Sequence, residues 1–495
     1  MIVRKTTGVL VVVALLVIFI SVLHLGLGDS SLDSPSFYHN VFSQIENETD
    51  YWDWETSTRF RRPDTAAKLN VKNDNICDTF PTHLLSRIQV VLKIGSSEPM
   101  DRLTTQTSTV TRCISNLIIV SDRRSELNGH HVYDILATLP GSYHESSEDF
   151  QAYDLMQRGK SIDAAQGWRL DRFKFLPMVE FSYEMNPTAE WFVFLESDTY
   201  FVWDNLFRLL DHFDPSVPLY FGSPSPGKED RGKRTFFAYG GAGFVLSAAA
   251  IDKLVARKIG SHGEYIESPL SKRYEELLKA DPCGDSVLGW ALHERGVQLS
   301  GLWPMFNPHP LHGIPFDNAY WCQPVISMHK SLLADMEALV KWEHKRDREK
   351  PLLYADLFEY LKLGTMERQN DWDNGDWGGF QEPPESAAHK SVENCREACH
   401  KHTACRSYTY DHAGHCVFVP TMRLGTAKPA TADVQLSAGW DLEKLKNWRA
   451  THPCEKPLRF TYDTNNTNGL IWIQSLNLEQ PRVGGKLIMI LYCTE

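Results

Sequence analysis

The triplet Glu196-Ser197-Asp198 is the sharpest chemical feature of the chain, because it directly follows the apolar run Trp191-Phe-Val-Phe-Leu195. Side chains two apart in an extended segment point the same way, so Glu196 and Asp198 can face one ligand together. Two carboxylates beside such a strand are costly to bury unless a cation offsets them, and a divalent metal bridging them to a diphosphate would do so. An acidic turn that caps the next segment would use the same residues without chemistry. Gly240-Gly241-Ala242-Gly243 is either a flexible turn or a place where small residues let backbone approach a ligand closely. Asp285 stands where a helix N-cap belongs, before Val287-Leu-Gly-Trp-Ala-Leu292. His329 lies between strand-like and helix-like segments, where an exposed side chain is the default.

These residues need a scaffold, and the hydrophobic pattern supplies one. Ile88 to Ile94 is a β-branched run stopped by Gly95, and Asn116 to Val120 is a second strand, with a helix expected between them over Thr104 to Arg112. Strand, helix and strand in that order predict a parallel α/β unit. Leu170, Phe173, Leu176 and Val179 repeat at near-helical spacing and predict one helix over Leu170 to Tyr183, with Pro177 as a blemish. Trp191 to Leu195 reads as a strand buried on both faces. In open α/β sheets ligands bind beyond the carboxyl ends of strands, which is where Glu196 and Asp198 fall. A helix is expected over Asn205 to His212, a strand over Leu219 to Phe221 and a helix over Ala248 to Lys258. The alternation continues to about Gly364, which gives one α/β domain over 81–365. Asp, Asn, Gly and Pro then dominate from Met366 to Pro384, and 366–390 reads as a linker. A Cys-rich unit over 391–455 and a tail over 456–495 complete the chain, the tail's Leu-Ile-Met-Ile-Leu-Tyr-Cys run suggesting a final strand.

The composition of the 495 residues is that of a globular protein, with 42% apolar and 23% charged side chains. A net charge of −12 argues against nucleic acid as the main partner. Val9 to Leu27 is apolar apart from His24 and spans about 28 Å as a helix, the thickness of a thin bilayer core. Arg4 and Lys5 precede it, while Asp29 and Asp33 follow it. A signal-anchor is favoured over a cleaved signal peptide, with a cytosolic tail over 1–8, an anchor over 9–27 and a stem over 28–80. The expectation is a single-pass type II protein of the Golgi membrane with its body in the lumen. The ten cysteines, Cys77, Cys113, Cys283, Cys322, Cys395, Cys399, Cys405, Cys416, Cys454 and Cys493, fit an oxidising lumen as disulfides. Cys77–Cys113, Cys283–Cys322 and Cys454–Cys493 are plausible bridges, although spacing leaves the connectivity open. Asn47 and Asn465 head glycosylation sequons.

The stretch from Trp191 to Leu210, Tyr-Phe-Gly-Ser-Pro at 220–224, Tyr239 to Ser247, Cys283 to Leu292 and Trp321 to Lys330 occur in one order. Together they resemble the fringe and core 1 β-1,3-galactosyltransferase family, inverting family 31 of glycosyltransferases, and its fungal members in particular. The resemblance covers about Ile88 to Glu343. It implies a GT-A, Rossmann-like nucleotide-sugar-binding domain, a UDP-sugar donor and usually Mn²⁺. It also implies transfer of a hexose, most commonly galactose, to a hydroxyl of a glycan or glycoprotein in β-1,3 linkage. Asp198 matches a family metal ligand, His329 falls on the family's metal-binding His, and Glu196 stands for the first carboxylate of a triplet that is usually Asp-Asp-Asp. Asp285 keeps the acidic residue of a Glu-Asp pair and is assigned as general base, with Gly284 in place of the Glu. Gly240, Gly241, Ala242 and Gly243, with Lys93, Trp168 and Asp171, are expected on the donor or acceptor side. Arg169 and Lys174 share the helix of Trp168, whose alternative is an amphipathic surface face. The altered triplet and Gly284 motivate a rival, a membrane-tethered carbohydrate-binding protein without activity.

Cys395-x3-Cys399-x5-Cys405-x10-Cys416, enclosing Arg-Ser-Tyr-Thr-Tyr, resembles PAN/apple modules. That resemblance implies a small α+β unit, dependent on disulfides, that binds protein or carbohydrate.

Overall fold

The computed structural model describes residues 49–51, 76–145, 147–346, 348, 350–375, 379–454 and 459–461. The segments 1–8 and 9–27, nearly all of the stem, Asn47, Asn465, Cys493 and the tail beyond Thr461 lie outside them. Among the described residues no helix is long and apolar enough to cross a membrane.

The largest sheet has eight strands: β1 (Ile88–Lys93), β2 (Ile118–Ser121), β3 (Ser125–Leu127), β4 (His130–Asp134), β5 (Trp191–Glu196), β6 (Tyr220–Gly222), β7 (Phe244–Ser247) and β8 (Leu299–Gly301). Their order is β8-β6-β7-β5-β1-β2-β4-β3. β1 runs parallel to β2 and β5, whereas β7 runs antiparallel to both β5 and β6, so the sheet is mixed. Every residue of β1 is buried, as are Trp191 to Leu195 of β5, because helices cover both faces. The carboxyl ends of β1 and β5 lie side by side, with Lys93 paired to Glu196 in register. That edge carries the chemistry.

Several local expectations shift. The first helix runs Met100–Ser108, beginning directly after Pro99 instead of at Thr104. The helix expected over Leu170 to Tyr183 is divided into Ala164–Asp171, a 3-10 turn Arg172–Lys174 and Phe175–Met185. Pro177 explains the last start, since in a first helical turn its missing N–H costs no intrahelical bond. The helix at Ala248 ends at Val255, three residues early, where Ala256 turns to φ −51 and ψ 133.

A small sheet sits beside the large one, ordered Phe306–Asn307, Ser327–Met328 and Tyr200–Phe201. Its register pairs Ser327 with Phe201 and Met328 with Tyr200, antiparallel. His329 is thereby delivered next to the triplet that precedes Tyr200.

The described residues of the supposed linker are largely structured. Arg368–Asn370 and Phe380–Gln381 form the two edges of a five-stranded antiparallel sheet whose interior strands are Leu436–Trp440, Ser407–Asp411 and His415–Val419. Trp372–Asp373 pairs with Thr426–Ala427. Turn-forming composition misled here because short edge strands need few apolar residues. The helix Val392–Lys401 packs on this sheet through Cys395–Cys416 and Cys399–Cys405.

Cys77–Cys113 forms as expected. The other two expected bridges do not, since Cys322 pairs with Cys454. Cys283 is disulfide-bonded to a residue other than Cys322. The reason is tertiary: the helix Leu442–Thr451 lays Trp448 against Trp321, ring centroids 4.6 Å apart, and brings Cys454 to its neighbour Cys322. Met422, Ala438, Trp440 and Leu445 share one apolar core with Phe316 and Phe358, so the small unit borrows stability from the large one. Opening Cys322–Cys454, which closes a separation of 132 residues, is expected to cost about 2–5 kcal/mol. The denaturant midpoint of Cys322→Ser paired with Cys454→Ser measures it, and an unchanged midpoint refutes it.

Candidate active site

Lys93, Glu196, Asp171, Lys174 and Asp122 form a continuous charge ladder behind the triplet. Lys93 Nζ lies 3.0 Å from Glu196 Oε1 and also contacts Asp171. Lys174 Nζ lies 3.1 Å from Asp122 Oδ2, 3.4 Å from Asp171 Oδ1 and donates to the Ile94 carbonyl at 2.9 Å. Both ammonium groups are buried. Burial alone would lower the Lys93 pKa, but Asp171 and Glu196 outweigh it and raise it. Asp171 is lowered: burial opposes this, and the two lysines prevail. Lys93 therefore arrives paired with carboxylates, and Glu196 has a cation from the protein itself. The sequence reading missed this ladder, although charged residues at the ends of β1 and after β2 were its signal.

Glu196, Asp198 and His329 bring one ligand atom each to within 4.8 Å of one another. Asp198 Oδ1 is 3.3 Å from His329 Nε2, and Asp198 Oδ2 is 3.7 Å from Arg102. Burial would raise the Asp198 pKa, but His329 and Arg102 hold it below the usual carboxylate range. His329 is buried, its Nδ1 3.2 Å from the Tyr239 hydroxyl. The backbone clamps this corner too, with Ser331 N donating to the Asp198 carbonyl at 2.9 Å. Two carboxylates and an imidazole at this spacing fit a divalent transition-metal cation.

Ser197 is not a gap in the acidic surface. Its hydroxyl donates to Glu98, whose other oxygen accepts the Gly95 amide. Burial keeps the Glu98 pKa raised. Glu98 restores a carboxylate beside the middle position of the triplet, and no motif in the sequence pointed to it.

The Gly240–Ala242 turn joins the two halves of the site. The Gly240 amide donates to Asp285 Oδ2 at 2.8 Å. A Cβ on Gly241 would lie 2.4 Å from the His329 ring, so only glycine admits the imidazole there. Gly243 has φ +75, and a Cβ on it would lie 2.7 Å from Phe201. Ala242 is buried, its carbonyl accepting from Ser327 Oγ. These residues fix Asp285 and His329 on neighbouring units of one turn.

Asp285 is not the N-cap the sequence suggested: Cys283 holds that place, and Asp285 lies inside the first turn of the helix Gly284–Glu294, 7% exposed. Its Oδ1 accepts the Ser286 amide at 2.9 Å. Burial first, and then the charge of Glu196, push its pKa up to about 6, against the pull of those amides and Lys93. Gly284 has a packing reason: a Cβ there would lie 2.2 Å from the Arg172 carbonyl oxygen. Arg169 and Arg172 pair with Asp149 at 2.8 and 2.6 Å. Trp168 is half exposed on the helix whose Gly167 faces Ser97, where a Cβ would meet Ser97 Oγ at 2.1 Å. Among the described residues nothing ties Trp168 to the cluster, while Asp171 and Lys174 are inside the ladder.

A family model described as Fringe-like matches residues 162–293, and a PAN domain model matches 377–434. The class defined here is that of glycosyltransferases, with a PAN domain appended. More particularly, the chain carries a Fringe-like domain of the kind found in glycosyltransferase family 31, and that match encloses the triplet, the glycine turn and Asp285. A solved structure described as "Crystal structure of a glycosyltransferase involved in the glycosylation of the major capsid of PBCV-1" is similar at 15% identity, over 51% of this chain and 99% of that chain, with a TM-score of 0.27.

Proposed function

We propose that the chain is an inverting hexosyltransferase of GT-A type that moves a sugar, galactose first among candidates, from a UDP-sugar to a hydroxyl of a glycan or glycoprotein in β-1,3 linkage. The observation that carries this reading is the buried Asp285, held by the Gly240 amide one residue from the glycine that seats His329. Inversion needs one base at the acceptor hydroxyl, on the face opposite the departing diphosphate. A carboxylate titrating at about 6 is mostly ionised at neutral pH and still basic enough to accept that proton. The amides of Gly240 and Ser286 fix the carboxylate, so its orientation costs nothing at the moment of transfer. Asp198, His329 and Glu196 would hold the cation, with the imidazole favouring Mn²⁺ over Ca²⁺. A bound divalent cation supplies Lewis-acid stabilisation of charge on the leaving diphosphate. Lys93 acts behind Glu196, aligning its carboxylate and limiting the charge gathered at the edge. The N-terminal apolar run and the disulfides support a membrane-anchored, lumenal setting in the Golgi.

Release of UDP from a panel of UDP-sugars, with and without acceptor glycans, tests the assignment. Glycan binding with no turnover of any donor would favour the inactive carbohydrate-binding rival. Gly241→Ala is expected to weaken Mn²⁺ binding about tenfold or more by displacing the His329 ring, and to lower the melting temperature through the same overpacking. Calorimetric titration of Mn²⁺ checks this, and wild-type affinity in the variant would refute the ring's role.

A further inference from the structure

Tyr239 directly precedes the glycine turn, and the three residues Tyr239, Gly240 and Gly241 meet the site in different ways. The Gly240 amide holds Asp285, while Gly241 leaves room for the Nε2 and Cε1 atoms of the His329 ring. Tyr239 takes the remaining ring nitrogen: its hydroxyl is 3.2 Å from His329 Nδ1. The two rings meet edge to face, centroids 5.2 Å apart and planes at 77°. Both residues are anchored through their backbones, Tyr239 N donating to the Ser223 carbonyl at 2.8 Å and His329 N to the Asn307 carbonyl at 3.1 Å. The contact thus joins two fixed segments 90 residues apart in sequence.

A neutral imidazole binds a cation through the nitrogen that does not carry its proton. His329 turns Nε2 to the carboxylates, 3.3 Å from Asp198 Oδ1, so the cation-binding form carries its proton on Nδ1. The competing tautomer puts the proton on Nε2, where Asp198 accepts it and the lone pair is lost to a cation. His329 is 5% exposed, and a buried N–H without an acceptor is costly. The Tyr239 oxygen lies where Nδ1–H can donate to one of its lone pairs. Removing that oxygen tips the balance to the tautomer that Asp198 favours.

We propose that Tyr239 is a positioning residue: its hydroxyl selects the cation-binding tautomer of His329 and holds Nε2 toward Asp198 and Glu196. The proposal rests on the cation part of the transferase reading and not on sugar transfer. Tyr239 acts through the imidazole and does not itself ligate the cation.

The test titrates Mn²⁺ alone into the full chain as wild type, Tyr239→Phe, His329→Ala and the double variant. Calorimetry reads the tight binders, and electron paramagnetic resonance of free Mn²⁺ reads the weak ones. Phenylalanine keeps the ring contact and removes only the hydroxyl. Tyr239→Phe is expected to raise the Mn²⁺ dissociation constant about tenfold or more. In the His329→Ala background the same change is expected to alter it by less than about twofold, because the hydroxyl then has no imidazole to orient. A purely structural role for Tyr239 would give the same loss in both backgrounds, and that result overturns the proposal. Wild-type affinity in Tyr239→Phe also overturns it and leaves the cation site standing. A wild type that binds no Mn²⁺ overturns the proposal together with the cation part of the reading. The expected pattern with no turnover of any UDP-sugar leaves Tyr239 in its role and defeats the transferase reading instead.

Discussion

Asp285→Asn is expected to lower kcat/KM for sugar transfer by about 10²–10⁴-fold while the affinity for UDP-sugar stays near that of wild type. Asparagine keeps the shape and can accept the Gly240 amide through its carbonyl, but it cannot take a proton from an acceptor hydroxyl. The pH profile carries the same assignment. Burial raises the Asp285 pKa to about 6, so the carboxylate, which is the working form, is depleted as pH falls through that value. Activity is expected to drop about tenfold per pH unit below about 6 and to level off above it. Steady-state kinetics from pH 4.5 to about 8, with acceptor saturating and then limiting, reads both effects. A profile flat to pH 5, or an active Asp285→Asn, would remove Asp285 from the chemistry.

Asp198→Asn and His329→Ala are expected to lower transfer by about 10²–10³-fold each, with a higher Mn²⁺ concentration needed for half-maximal rate. The two side chains are 3.3 Å apart on different elements, so the double variant is expected to lose little more than either single one. High Mn²⁺ should partly rescue His329→Ala, in which two carboxylates remain, and a chelator should silence the wild type. Rates measured against Mn²⁺ for the four proteins decide the matter. Full activity of wild type in chelator would show that Arg102, Lys93 and His329 neutralise this edge without a metal.

The strand Trp191–Glu196, the triplet at its carboxyl end and the helix that holds Asp285 in its first turn were legible because each is a local pattern of apolar runs bounded by polar residues. The glycine turn was legible as small residues but not as a joint. Nothing local says that Gly240 faces Asp285 while Gly241 faces His329 across 88 residues of chain. The linker reading failed on Arg368–Asn370 and Phe380–Gln381, whose partners lie far along the chain. Edge strands of this kind are made by their neighbours, not by their own composition.

By itself the sequence determined which residues can carry charge at the end of a buried strand, that the chain is α/β with a disulfide-rich unit after it, and that small residues cluster over Gly240 to Gly243. Tertiary structure alone decided that Lys93 neutralises Glu196, that Glu98 stands in beside Ser197, that Cys322 meets Cys454, and that Lys330 and Arg423 share a cavity. The division has a physical cause. Hydrophobic period and turn chemistry act over a few residues, whereas charge pairing, sulfur pairing and cavity shape depend on which distant segments the packed core forces together.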